Sequence, residues 1–369
     1  NNSVTELCKE SEPEGVIFIH IEERNSTIGL CSAVTSIFFL SFMLSSNNQI
    51  LNISSYSIFY ILALFSIEFV TFEGPIYIDM EDVLMADDFL EQSKTGILID
   101  VRSPSEFEAG HIPGARNLPL FSDNERAEIG TRYVQYGKDN AVERGLEIAG
   151  PKLAGFVKQA RQWADGTPIY MYCWRGGMRS GSMAWLFRTA GLTTYLLSGG
   201  YKAYRNSFAQ LLEAHPWQLL ILGGPTGCGK TEVLHQLQRM EQQVIDLEGL
   251  AHHKGSAFGS LGETAQPSTE QFTNQLHTLM RTFNPARPVW CEGESASIGK
   301  VVIPSAFFTL MLSAPFLNLE IPYQERIRHI LNDYGTFQPD ELILSFRKIE
   351  KRLGGEATRK AIECVEQNN

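Results

Sequence analysis

Leu219-Leu220-Ile221-Leu222-Gly223-Gly224-Pro225-Thr226-Gly227-Cys228-Gly229-Lys230-Thr231 reads as an apolar strand running straight into a glycine-rich loop. Trp217-Gln218 leads in, and Glu232-Val233-Leu234-His235-Gln236-Leu237 follows with the character of a helix. The spacing G-x-x-x-x-G-K-[ST] in strand–loop–helix context predicts a phosphate-binding loop on an α/β sheet rather than a plain glycine turn. Gly224, Gly227 and Gly229 allow a backbone whose amides converge on a diphosphate. Lys230 neutralises that diphosphate, and the Thr231 hydroxyl is placed to take Mg²⁺. Cys228 sits inside the loop as a spacer rather than a nucleophile.

Downstream, Val244-Ile245-Asp246-Leu247-Glu248 is a second apolar run ending in acid. Asp246 is either a carboxylate facing the phosphate and its metal or the N-cap of the next helix. His252-His253-Lys254-Gly255-Ser256-Ala257-Phe258-Gly259 is a small, polar, basic loop suited to phosphate or RNA backbone, and its histidines lack a third ligand nearby for zinc. Val289-Trp290-Cys291-Glu292-Gly293-Glu294-Ser295 is a further strand with acids at its end, where a general base or a metal site would stand.

Upstream, Gly96-Ile97-Leu98-Ile99-Asp100-Val101-Arg102 reads as a buried strand, and Ser103-Pro104-Ser105-Glu106-Phe107 as a capped helix start. Ala109-Gly110-His111-Ile112-Pro113-Gly114-Ala115-Arg116-Asn117-Leu118 is a loop returning to a strand, with His111 fixing the turn between Asp100 and Arg116. Pro168-Ile169-Tyr170-Met171-Tyr172 is another buried strand, ending at Cys173, and Met183-Ala184-Trp185-Leu186-Phe187 continues as helix. A thiol at a strand end below a helix N-terminus meets a fan of amides that favours thiolate. Arg175 and Arg179 in the same loop add positive charge, and Gly176-Gly177 lets the backbone curl round the sulfur. A buried structural cysteine is the alternative, and the surrounding loop argues for a functional thiol. The Cys-x5-Arg spacing from Cys173 to Arg179 also suits phosphate-ester cleavage.

The chain has 369 residues, 43% of them apolar and 20% charged, which suggests two soluble domains. Its net charge of -11 argues at first against a nucleic-acid partner. That charge is uneven: residues 1–75 carry 2 basic and 8 acidic side chains, residues 76–205 carry 15 and 16, and residues 206–369 carry 14 and 18. A local basic groove therefore remains compatible with the composition. The six cysteines are scattered without C-x-x-C or any metal-ligand spacing, as expected in a reducing compartment and a cytoplasmic location. Two apolar runs, Ile28 to Leu44 and Tyr56 to Phe72, stand in the first 75 residues. The second is barely membrane-spanning in length and has only Arg24 near it as a flanking cation. Three readings stay open: a membrane hairpin, an extension outside the folded body, or an integral part of a domain. No stable membrane partner is expected.

Asp100-Val101-Arg102, Glu106-Phe107, Gly110-His111-Ile112-Pro113-Gly114-Ala115, the Cys173 loop and Leu197-Ser198-Gly199-Gly200-Tyr201 together resemble the rhodanese superfamily over about residues 76–205. Such domains carry sulfur or selenium on the loop cysteine, and the superfamily includes phosphatases with a loop of this length. One family joins that domain to a phosphate-binding loop in this order. The chain is similar to the tRNA selenouridine synthases in Tyr172-Cys173-Trp174-Arg175-Gly176-Gly177-Met178-Arg179-Ser180, the segment Gly223 to Thr231, Asp246-Leu247-Glu248-Gly249-Leu250-Ala251, and Gly255-Ser256-Ala257-Phe258-Gly259. Glu325-Arg326-Ile327 and Arg352-Leu353-Gly354-Gly355 also fit. Cys291-Glu292-Gly293-Glu294-Ser295 departs from the more acidic run expected there, and residues 1–75 have no counterpart.

The resemblance implies an α/β chain: an N-terminal extension at 1–75, a rhodanese-like parallel-sheet domain at 76–210, and a P-loop NTPase-like α/β domain at 211–369 lacking its C-terminal end. It implies a transferase that replaces sulfur by selenium in wobble thiouridine of tRNA through a geranylated intermediate. Selenophosphate and geranyl diphosphate would be co-substrates, with Mg²⁺ in support and a selenophosphate-supplying enzyme as partner. Cys173, Arg175 and Arg179 would be catalytic. Gly224, Gly227, Gly229, Lys230, Thr231 and Asp246 would hold the diphosphate. A P-loop kinase or ATPase with a regulatory rhodanese module is the rival from another class, and a non-catalytic relic is a third.

Overall fold

The structure, a computed structural model, describes residues 82–367, all within one compact unit spanning Tyr77–Asn369. The two apolar runs considered as a membrane hairpin lie outside the described residues. No helix among the described residues is long and apolar enough to cross a membrane.

Two parallel sheets organise the described residues. In the first, β1 (Val83–Leu84), β2 (Ile97–Asp100), β3 (Arg116–Asn117), β4 (Ile169–Tyr172) and β5 (Thr194–Leu197) lie in the order β1-β5-β4-β2-β3. Strict alternation along β2 and β4 loads both faces. Ile99, Val101, Met171 and Cys173 enter one apolar core, while Leu98, Tyr170 and Tyr172 enter the core on the opposite face. Burial on both sides is what a parallel sheet requires, and it explains why these strands read as nearly continuous apolar runs. Helices α1 (Ala86–Gln92), α2 (Pro104–Ala109), α3 (Asp123–Ala149), α4 (Leu153–Ala164), α5 (Met178–Thr189) and α6 (Gly200–Ala214) connect and cover these strands. The predicted capping box at Ser103 is present, with Pro104 opening α2. α3 is broken by extended backbone at Gly137 (φ 88°), a conformation open to glycine.

In the second sheet, β6 (Leu219–Gly223), β7 (Gln243–Ile245), β8 (Val289–Glu292) and β11 (Phe316–Asn318) lie in the order β11-β6-β8-β7. A short hairpin, β9 (Ser297–Ile298) and β10 (Val301–Val302), follows β8. The helices here are α7 (Lys230–Arg239), α8 (Leu247–Ala251), α9 (Thr269–Met280), α10 (Ser305–Ser313), α11 (Tyr323–Tyr334), α12 (Pro339–Lys348) and, after a single turn, α13 (Gly355–Glu366).

Register brings the chemistry together. Leu222 pairs with Glu292 and Ile245 with Cys291, so the ends of β6, β7 and β8 reach one edge of the sheet. The carboxyl edge is where ligands bind in such sheets.

The expected division between residues 210 and 211 falls inside α6. Tyr201 and Tyr204 belong to a core of the first sheet, whereas Phe208 belongs to the main core of the second. One helix therefore nails the two layers together. α9 completes the contact from the other side: Gln271 Oε1 accepts from the His111 amide at 2.8 Å, and Ser268 Oγ donates to the Ala109 carbonyl.

Candidate functional site

Cys173 stands directly after β4, 3% exposed, with Ser180 Oγ donating to its sulfur at 3.1 Å. The loop from Trp174 to Gly177 then turns into α5, which begins at Met178, five residues before the helical character evident in the sequence. Sterics at two glycines hold that loop. Gly176 has φ 65°, and a β-carbon there would lie 2.9 Å from the Leu197 carbonyl oxygen. Gly200, with φ 60°, lies so close to the Cys173 carbonyl and the Gly176 nitrogen that a β-carbon would collide with both. Only a residue without a side chain fits this approach. The Tyr201 amide donates to the Cys173 carbonyl at 2.8 Å, and the Lys202 amide to the Trp174 carbonyl at 3.0 Å. The start of α6 therefore clamps the loop.

The two arginines take different positions. Arg175 is exposed in the loop. Arg179 Nη1 donates to Glu106 Oε2 at 2.6 Å, which ties the start of α5 to α2. Burial would raise the Glu106 carboxyl, but the hydrogen bond and charge of Arg179 outweigh it and hold that group below the usual carboxylate range. Arg179 is thus oriented by an ion pair that the sequence reading did not see. His111 makes its side-chain contacts inside the turn between Asp100 and Arg116. It stacks on Phe107 at 3.8 Å and its Nδ1 pairs with the Phe107 carbonyl, so it braces α2 and the contact to α9. Asp100 is held by the fully buried Arg102, which also donates to the Gly110 carbonyl and lies over the Tyr201 ring at 3.8 Å.

The second site forms where β6, β7 and β8 end. Gly224, Gly227 and Gly229 have φ of 146°, 77° and 85°, and Lys230 Nζ donates to the Gly224 carbonyl at 3.2 Å. Thr231 follows in the first turn of α7. Cys228 is buried, its sulfur 2.6 Å from where a Gly224 β-carbon would be, as suits a spacer. α11 lies against the loop: Arg326 Nε donates to the Thr226 carbonyl at 3.1 Å, and Ile330 fills the space beside Gly227. That covering helix is about a hundred residues away in sequence and carried no local sign of its role.

Asp246 caps α8. Its Oδ1 accepts from the Gly249 amide at 2.6 Å and its Oδ2 faces His235 Nε2 at 3.4 Å. The N-cap reading is met, because β7 stops at Ile245 and the chain turns into helix at once. Glu248, expected in a strand, lies in the first turn of that helix.

Glu248 and Glu294 meet across Gly255. A β-carbon on Gly255 would touch Glu248 Oε1 and lie 2.9 Å from both oxygens of Glu294. The two carboxyls hydrogen-bond to each other, Glu248 donating, and both feel the charge of Lys230. Burial and the neighbouring Glu294 push the Glu248 carboxyl up to about 8. Burial also raises Glu294. Glu292, 2% exposed, accepts from the Glu248 amide at 2.6 Å through Oε1, while its Oε2 has no hydrogen-bond partner among the described residues. Burial and the charge of Asp246 drive this carboxyl well above its usual range. Close carboxyls beside one lysine hold protons, which lowers the repulsion an incoming diphosphate would meet. Among the described residues no three His, Cys, Asp or Glu side chains converge as a metal-ligand set.

A family model described as the tRNA 2-selenouridine synthase AAA domain matches residues 217–369, and one described as the rhodanese-like domain matches residues 85–207. The chain is similar to a tRNA 2-selenouridine synthase of Marinobacter nauticus, 36% identical over 302 residues, covering 74% of this chain and 80% of that protein. One from Shewanella loihica is 39% identical over 285 residues, covering 70% of this chain and 74% of that protein. One from Nitrosomonas europaea is 38% identical over 253 residues, covering 66% of this chain and 64% of that protein.

Proposed function

We propose that this chain, which belongs to the tRNA 2-selenouridine synthase family, replaces the sulfur of a wobble thiouridine in tRNA with selenium by way of a geranylated intermediate. The observation that carries this reading is the presence, in one compact unit, of a clamped thiol loop and a glycine-rich lysine loop lined with carboxyls. A thiol held at Cys173 suits selenium or sulfur carriage, and the exposed Arg175 suits the phosphate released from selenophosphate. Arg179 orients the loop through Glu106 and would lend its charge to the same thiol. Lys230 and the amides around Gly227 and Gly229 suit the diphosphate of geranyl diphosphate. The hydroxyl of Thr231 suits Mg²⁺, which would supply charge neutralisation at the diphosphate. Chemistry explains the pairing of sites: an S-alkylated thiouridine loses its sulfur more readily than a free thiocarbonyl does. tRNA, cytoplasmic location and a partner that supplies selenophosphate complete the proposal.

The test is mass spectrometry of the wobble nucleoside after tRNA is incubated with the protein, geranyl diphosphate and selenophosphate. Cys173→Ala is expected to abolish selenium incorporation while S-geranylated nucleoside still accumulates, and Lys230→Ala to impair geranylation. Loss of both activities in a folded Cys173→Ala protein would sink the division of labour. ATP turnover independent of tRNA, with no prenyl transfer, would favour the kinase reading instead.

A further inference from the structure

Alkylating the sulfur of a 2-thiouridine leaves one proton to be disposed of. Sulfur attacks C1 of the prenyl group, the S–C1 bond forms, and the C1–O bond breaks with its electron pair leaving on the diphosphate. The C2=S double bond becomes single, so the ring keeps its closed π system only if the N3–H bond breaks and its electrons make C2=N3. The N3 proton therefore needs an acceptor beside the departing diphosphate. Without one the product is a cation, generated next to Lys230.

We propose that Glu294, hydrogen-bonded to Glu248 and set beside Lys230, is the base that removes the N3 proton as the thiouridine sulfur takes the prenyl group. The inference deepens the proposed function and rests on it. Three observations carry it. β6 and β8 are in register, so the strand that feeds Lys230 and the strand that feeds Glu294 end together at the edge where the diphosphate loop stands. Glu248 and Glu294 close on the same point beside Gly255, and the charge of Lys230 acts on both. Glu292, almost wholly buried below them, keeps an oxygen without a hydrogen-bond partner, so this acid cluster is not a closed structural network. A structural network would have satisfied that atom.

The pair divides the work. Glu248 holds a proton and donates it to Glu294, leaving Glu294 as the ionised member with an oxygen free to accept. Burial makes Glu294 a stronger base than an exposed glutamate, outweighing the opposing hydrogen bond from Glu248 and charge of Lys230, and so brings it nearer to what abstraction at neutral pH requires. Gly255 permits the contact, since any side chain there would part the two groups. Glu248 is on this account a positioning residue, and Glu294 is the catalytic one.

Single-turnover geranylation of a tRNA carrying 2-thiouridine at the wobble position, followed by mass spectrometry from pH 6 to pH 9.5, tests the proposal in the full chain. Glu294→Gln is expected to slow alkylation at pH 7 on the order of 100-fold, the usual worth of a positioned base. Its rate should then climb with pH as the nucleoside loses its own N3 proton, converging on wild type in alkali. Glu248→Gln, which still donates to Glu294 but more weakly than a carboxylic acid, should show a smaller loss and an acid limb moved to higher pH. In the wild type, a rate slowed in heavy water and falling in acid is the matching signature, and it does not depend on how the variants fold. Glu294→Gln protein with wild-type speed at pH 7, a deficit equal at every pH, or a deficit cured by added Mg²⁺ would each overturn the proposal. Wild-type protein that binds geranyl diphosphate but never alkylates tRNA would overturn the proposed function itself.

Discussion

Replacing Asn274 by leucine, a side chain of similar volume without polar atoms, would separate hydrogen bonding from packing where the two sheets join. Asn274 is 1% exposed on α9, and its Nδ2 donates to the His111 carbonyl at 2.9 Å and to the Tyr201 hydroxyl at 2.6 Å. Leucine leaves the half-buried His111 carbonyl without that donor, a cost of about 1–3 kcal/mol. Tyr201 loses less, about 1 kcal/mol, because its hydroxyl still donates to Glu270 Oε1. The expected total is roughly 2–4 kcal/mol, a fall in melting temperature of about 3–7 °C for a unit of this size. Its reach should extend to catalysis, since the Tyr201 amide holds the Cys173 carbonyl. Urea unfolding followed by tryptophan fluorescence reads the first effect. Amide exchange at Tyr201 and Lys202 reads the second, and both amides should exchange faster. A variant within about 0.5 kcal/mol of wild type, the usual range for a surface change, with unaltered exchange there would refute the claim that these bonds couple α9 to the thiol loop.

His277, 1% exposed between Tyr204 and Phe208, is held neutral by burial, its imidazole pushed down to about 4. Because the unfolded chain binds that proton from about pH 6.5 downward, stability should fall by about 3 kcal/mol as pH drops from 6.5 to 4; His277→Phe should flatten this limb of a pH–melting curve. Glu248 has the opposite sign: its carboxyl, raised to about 8, keeps a proton in the folded state that the unfolded chain gives up above about pH 4.5. Stability is lost as pH climbs through that window, with a ceiling of roughly 5 kcal/mol, so Glu248→Gln should melt higher than wild type at pH 9 and close to it at pH 5. Gly200→Ala forces a β-carbon into the Cys173 carbonyl at a φ of 60°, and should cost more than about 2 kcal/mol while abolishing selenium incorporation. Normal selenium transfer by that variant would show that the clamp on the loop is dispensable.

Much of the candidate site was legible because its signals are local. Cys173 at the end of an apolar run and the spacing from Gly224 to Thr231 each report a strand, a turn and a helix within about fifteen residues. The capping box at Ser103 is of the same kind. Asp246 shows the limit: the residues around it suit an acid at a strand end and an N-cap equally, and only the early stop of β7 shows that it caps a helix.

What a sequence window could not supply were partners separated along the chain. Glu106 lies 73 residues from Arg179, Arg326 lies a hundred from Thr226, and Asn274 lies 73 from Tyr201. No periodicity records such pairs. Ser180 stood in plain view within the thiol loop, yet its bond to the sulfur depends on where α5 starts.

Alone, the sequence determined two parallel α/β sheets, the thiol at the end of one strand and the lysine loop at the end of another. Period-two burial and glycine conformations are properties of neighbouring residues, so a single chain displays them. Tertiary structure decided which acids meet. β6, β7 and β8 come from distant parts of the chain, and only their parallel register delivers Glu248 and Glu294 to one end of the sheet, where partial burial raises both carboxyls.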